Sequence, residues 1–149
     1  MTTPPTHFTV EQANRMLPLV RRIAADIVRD YRSWQDAVAA FELAAAASTA
    51  GDPDPRAAQL QREAQRYAAD IDGYVRELAA LGVECKSLDL GLVDFPGEVA
   101  GEPAFLCWKL GEPAVEWWHR RDSGFAGRRR LEGSAAAAEP AAAGLGGAR

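Results

Sequence analysis

The chain predicts an α+β fold: a long antiparallel helical hairpin, coiled-coil-like in its spacing, packed on a small three-stranded antiparallel sheet. Three observations carry this expectation. Apolar residues recur at helical steps of three and four across two segments that Asp52-Pro53-Asp54-Pro55 separates. Past Leu88 the period changes to the alternation of strands, punctuated by Pro and Gly. From residue 132 onward the composition falls to Ala, Gly and little else, with nothing large to bury against the entropic cost of ordering. The chain therefore divides into one domain over residues 1–131, with the hairpin in 8–82 and a β meander in 83–131, and a disordered Ala/Gly-rich tail over 132–149.

The first helix is expected to begin at Val10. Thr9 can cap it, Gln12 can bond back as in a capping box, and Phe8 can pack near Ala13. Pro18 falls inside the pattern, where it lacks a backbone donor and clashes with the preceding turn. A kink or restart near Leu17 follows, with the first seven residues as a separate short helix. Beyond it, Val20, Ile23, Ile27, Tyr31, Trp34, Val38, Phe41 and Ala45 form one apolar stripe. Asp54 is placed to cap a second helix with Pro55 at its first position, and Ala57, Leu60, Ala64, Tyr67, Ile71, Tyr74, Leu78 and Leu81 form its stripe. Each seam is too narrow to be stable alone, so the two helices are each other's first partner. Gly82 can take the left-handed conformation and fold Val83 back on Leu78.

Strands are expected over residues 90–95, 104–109 and 114–119, with turns at 96–103 and 110–113. Alternation then puts Phe105 and Cys107 on one face of the middle strand and Leu106 and Trp108 on the other. Val115, Trp117 and His119 likewise oppose Glu116 and Trp118. Neighbouring Trp117 and Trp118 cannot share a face.

The composition is that of an ordinary folded chain, 48% hydrophobic and 26% charged, with a net charge of −4. The segment 104–131 is the basic exception, with six Lys and Arg against three acids. A local excess of that size can attract an anion or an acidic partner. The acidic whole argues against broad nucleic-acid binding, which needs many cations on one face. Two cysteines, Cys85 and Cys107, form neither a disulfide framework nor a CxxC zinc pattern, which fits a reduced, cytoplasmic chain. The start of the sequence reads as neither an export signal nor a membrane anchor.

Residues 105–130 hold three of the four Trp and most groups able to do chemistry. Asp94, Cys107 and His119 fall one on each proposed strand, and would form a three-ligand set for a transition metal such as zinc or iron if register brings them together. Their spacing lacks the short ligand pairs of recognisable zinc sites. The plainer reading makes Cys107 a small buried hydrophobe and gives His119 a backbone carbonyl as partner. The glycine-bearing loop that holds Phe125 and ends in Arg128, Arg129 and Arg130 could hold an anion through backbone amides and an arginine fork. Its plainer reading pairs Arg128 with Glu112 or Asp122 to tie the loop down.

Three blocks, FTVEQANRMLPLV, LGVECKSLDLGLVDFPGE and LCWKLGEPAVEWWHRRDSGFAGRR, resemble a small prokaryotic family catalogued only as a domain of unknown function. The resemblance spans roughly residues 8–130 and leaves the tail outside. It implies no activity.

Together these features favour a cytosolic, non-catalytic binding or regulatory protein without a cofactor. It would recognise a small anionic ligand or a protein partner through Glu112, Trp118, His119, Phe125 and Arg128. The alternatives are a small metalloprotein or enzyme using Asp94, Cys107 and His119, and an RNA- or ribosome-associated protein. Homodimerisation through the hairpin is expected, because a second copy would complete a four-helix bundle.

Overall fold

The structure, a computed structural model, describes residues 7–132. The tail expected to be disordered lies, but for its first residue, outside the described residues. Two helices, α1 (Val10–Ala47) and α2 (Pro55–Ala80), pack along one another as a hairpin. They precede a sheet of five strands, β1 (Glu84–Ser87), β2 (Leu92–Val99), β3 (Glu102–Lys109), β4 (Trp117–Arg120) and β5 (Arg129–Arg130). The strands lie in chain order, each antiparallel to the next. No helix is long and apolar enough to cross a membrane among the described residues.

Local chemistry sets the helix ends. The Gln12 amide donates to Thr9 Oγ1 at 3.1 Å while the Thr9 amide donates to Gln12 Oε1 at 2.9 Å, which completes the capping box. The Arg56 amide donates to Asp54 Oδ1 at 2.9 Å at the start of α2. At its end Gly82 has φ +88°, and the Val83 amide donates to the Leu78 carbonyl at 2.9 Å, with both side chains buried.

Pro18 does not divide α1, contrary to the restart expected near Leu17: the helix runs unbroken from Val10 to Ala47. Ala13 and Leu17 before the proline and Val20, Ile23 and Ala24 after it are buried in one core. Each large apolar side chain there gains about 1.5–3 kcal/mol on burial, which outweighs the ~3 kcal/mol that an interior proline costs.

The sheet departs from the three strands expected. β1 and β5 were not foreseen because ECKS lacks an apolar alternation and Arg129–Arg130 is too short to show a period. β2 and β3 extend through the stretch expected as a loop and meet in a two-residue turn at Ala100 and Gly101, with φ of 54° and 82°. Positive φ at both positions is the hairpin geometry that matches strand twist. Pro96 and Pro103 are tolerated because neither is asked for an amide donor: β1 ends opposite Asp94 and Phe8, which takes over that edge, uses only the Pro96 carbonyl, while β4 reaches only to Ala104. β4 begins at Trp117, three residues later than expected. The Val115 amide is instead taken by Asn14 Oδ1 at 2.8 Å, so a side chain of α1 replaces a strand partner there.

One face of the sheet, through Val93, Phe95, Leu106 and Trp108, joins Leu17, Ile27 and Leu78 of the hairpin in the core. Phe8 closes its edge: its amide donates to the Pro96 carbonyl at 2.7 Å, and its ring meets Phe95 edge to face at 5.3 Å. A Cβ on Gly97 would stand 2.7 Å from the Phe8 carbonyl oxygen. Gly97→Ala is therefore expected to push Phe8 off the edge and cost about 1–3 kcal/mol. Gly73→Ala, in the α2 interior where nothing lies within 4 Å of a new Cβ, should gain about 0.5–1 kcal/mol. Urea denaturation of the two variants checks both signs.

Candidate functional site

The other face of the sheet carries the residues with chemistry. Register places Asp94 of β2 directly opposite Cys107 of β3, Cys107 opposite Trp117 of β4, and Phe105 opposite His119. Alternation therefore puts Asp94, Cys107 and His119 on one face, and their ligand atoms lie within 4.8 Å of one another. All three are enclosed, with exposures of 2%, 0% and 4%.

The hydrogen bonds orient the imidazole. His119 Nδ1 lies 2.8 Å from the Arg120 carbonyl oxygen, which can only accept, so Nδ1 carries a proton. His119 Nε2 lies 2.9 Å from Asp94 Oδ2. Two acceptors at that distance require one further proton between them. Asp94 Oδ1 is buried without a hydrogen-bond partner among the described residues. An unsatisfied buried acceptor costs about 1–3 kcal/mol. Burial pushes the Asp94 carboxyl above its ordinary range, opposed by the attraction of His119 and, more weakly, by Lys86 and the Cys107 thiol.

Burial, reinforced by the charge of Asp94, pushes the Cys107 thiol up to about 12, although the Arg128 guanidinium pulls the other way. A thiol so shifted holds almost no thiolate at neutral pH, which argues against Cys107 as a nucleophile by itself. The shift also has a stability consequence. The folded chain keeps the proton that the unfolded chain releases near 8.5, so stability is complete below that value and falls as pH rises toward about 12. The expected loss is roughly 1.4 kcal/mol per pH unit in that window. Urea denaturation at mildly and strongly alkaline pH should show this limb in the wild type and a flatter one in Cys107→Ser.

Arg128 forms the rim. Its Nη1 donates to Glu112 Oε1 at 3.1 Å and its Nη2 to Glu112 Oε2, while Nη1 also points at Cys107 Sγ at 3.8 Å. The guanidinium lies 4.3 Å from the Trp117 ring centroid and 4.4 Å from that of Phe125. Glu112 is held in turn, since Oε1 accepts the Lys109 amide at 2.9 Å and its carbonyl accepts the Trp108 indole N–H at 3.0 Å. Phe105 lies under two cations, Arg121 at 4.4 Å and Lys86 at 5.0 Å.

The structure thus gathers Asp94, Cys107, His119, Glu112, Phe125 and Arg128 on one side. Trp118 is not among them: it packs against the hairpin-facing core, one position out of phase with His119. Trp117 takes the place beside Arg128. The signal for it was present in the period of two that links Trp117 to His119 on β4.

This arrangement offers a carboxylate, a thiol and an imidazole converging in a buried site, a hydrogen-bonded His–Asp pair, and an arginine already committed to a carboxylate. The model of a family described as uncharacterized conserved protein (DUF2203) matches residues 6–131. No curated protein and no solved structure matches the chain.

Proposed function

The chain belongs to the DUF2203 family of uncharacterised conserved proteins, and we propose that it is a small metal-binding protein whose ligands are Asp94, Cys107 and His119. The observation that carries this reading is the convergence of the three ligand atoms within 4.8 Å, with one carboxylate oxygen left unpartnered. Ligand atoms on a tetrahedral zinc ion lie about 3.3–3.8 Å apart, so the cluster has to draw in by up to about 1 Å to hold one. The His119 Nδ1–H bond to the Arg120 carbonyl is the outer support that metal-ligating histidines use, and it turns Nε2 toward Asp94. A buried carboxylate, thiol and imidazole are also a costly choice for a core that apolar side chains would stabilise better. An ion that replaces their protons removes that cost.

A mixed sulfur, nitrogen and oxygen set suits zinc or iron, and three protein ligands leave a coordination position for water or a substrate. Arg128 is a positioning residue beside Cys107: its guanidinium would offset part of the charge of a bound thiolate. The anion-binding reading of the arginine loop has less support. Arg128 is already paired with Glu112, and Trp118 faces the other side of the sheet.

The test is elemental analysis of untagged protein purified without chelator, with His119→Ala and Cys107→Ser beside it. Near one transition metal per chain, lost in both variants, is expected. Cobalt(II) added to metal-free protein should give thiolate-to-metal charge-transfer absorption that Cys107→Ser abolishes. Metal-free wild type that also gives no cobalt–thiolate band would overturn the proposal.

A further inference from the structure

The distal part of the helical hairpin lacks a core. The apolar core shared with the sheet takes in α1 only as far as Ile27 and α2 only from Tyr74 onward. Across residues 31–70 only Ala37 and Ala44 are buried, and these small side chains merely let the two helices approach. The large residues of this arm are left half-covered. Tyr31 and Trp34 stack on each other at 5.8 Å, and Trp34 and Phe41 line one side of a groove whose other side is Ala64 and Ala68. Two adjoining cavities of about 310 and 380 Å³ occupy the groove and share Trp34 and Ala68 as walls. Two helices without a third layer leave such side chains wet, and helical stability in proteins comes mainly from packing an apolar face.

We infer that this groove is the self-association surface of the protein, with the same groove of a second copy packed on it across a two-fold axis to form a four-helix bundle. Two features select a second copy. The first is shape: a groove between two helices, lined at three- and four-residue steps, accepts the helices of an identical hairpin, each hairpin filling what the other lacks. The second is area. At 1.5 Å per residue the arm's part of α1 is about 26 Å long, and two helices side by side are roughly 20 Å wide. One face is then on the order of 500 Å² and the pair about 1,000 Å², the lower limit of a specific interface.

The full chain is the material for the test, by light scattering coupled to size exclusion and by sedimentation equilibrium. Twice the 16.0 kDa chain mass is expected for the wild type. Ala68 is exposed and forms a wall of both cavities. Ala68→Arg puts a long charged side chain into the groove without disturbing a buried residue, and should give a monomer with unchanged far-UV circular dichroism. Trp34→Glu should do the same. Ala39→Arg, exposed and off the groove, should remain a dimer. A wild type that is monomeric throughout the concentration range, or a dimer that survives both Ala68→Arg and Trp34→Glu, would overturn the inference.

Discussion

Raising the pH from 6 to 7 is expected to tighten the binding of zinc by about tenfold through Cys107, because the ion displaces its thiol proton. Burial keeps that proton in place up to about 12 in the folded, metal-free chain. The sign follows from competition: the proton must leave before the thiolate can ligate, so every fall in proton activity favours the metal. One pH unit then changes the binding constant by about a factor of ten per proton. Calorimetry in buffers of different ionisation enthalpy counts the protons directly. The wild type is expected to release one proton more per zinc than Cys107→Ser. A count near zero at neutral pH would sink this linkage, and with it the assignment of Cys107 as a ligand.

Trp108→Ala is expected to cost the most stability of any single truncation in the sheet. Trp108 is fully buried on the hairpin-facing side. Its indole N–H donates to the Glu112 carbonyl at 3.0 Å, and Arg21 lies 5.8 Å over its ring. Truncation of a buried aromatic of this size removes about 3–5 kcal/mol from a total stability of roughly 5–15 kcal/mol, and leaves the Glu112 carbonyl without its donor. For a domain of this length the midpoint of thermal unfolding should fall by roughly 10–20 °C. The effect should also reach the candidate metal site, because the turn that Trp108 anchors holds Glu112, and Glu112 holds Arg128 beside Cys107. Trp117→Ala, which removes a half-buried ring stacked on Arg128, should cost less than half as much. Thermal and urea denaturation of both variants measures the difference. Equal costs would mean that the aromatic layer on the ligand face is as much a core as the one facing the hairpin.

The helical half of the molecule was legible because its determinants are local. Thr9 and Gln12 close a capping box within one turn, Asp54 caps α2 two residues on, and Gly82 ends it by its own conformation. The strand half was legible only in part. An alternation such as that of residues 104–109 shows in the side chains, but β1 and β5 exist because a neighbour supplies hydrogen bonds, and nothing in ECKS or in two arginines carries that information. Pro18 illustrates the opposite case, in which a strong local signal is overruled by burial on both sides of it.

The candidate site divides along the same line. From alternation alone it follows that Cys107 shares a face with Phe105, that His119 shares one with Trp117, and that Trp118 cannot join them. The sequence by itself thus determined the helix ends, the punctuation of the chain and the two alternating sets on each long strand, all of which depend on residues within a few positions of one another. Tertiary structure alone decided which set the hairpin covers and which register the strands adopt. Side-chain period is two, so a slip of one residue between β2 and β3 would have sent Asp94 and Cys107 to opposite faces. The observed pairing of Asp94 with Cys107 and of Phe105 with His119 puts the carboxylate, thiol and imidazole together beneath Arg128. That register is selected by the burial of Val93, Phe95, Leu106 and Trp108 against the hairpin, a non-local energy that no short stretch of the chain contains.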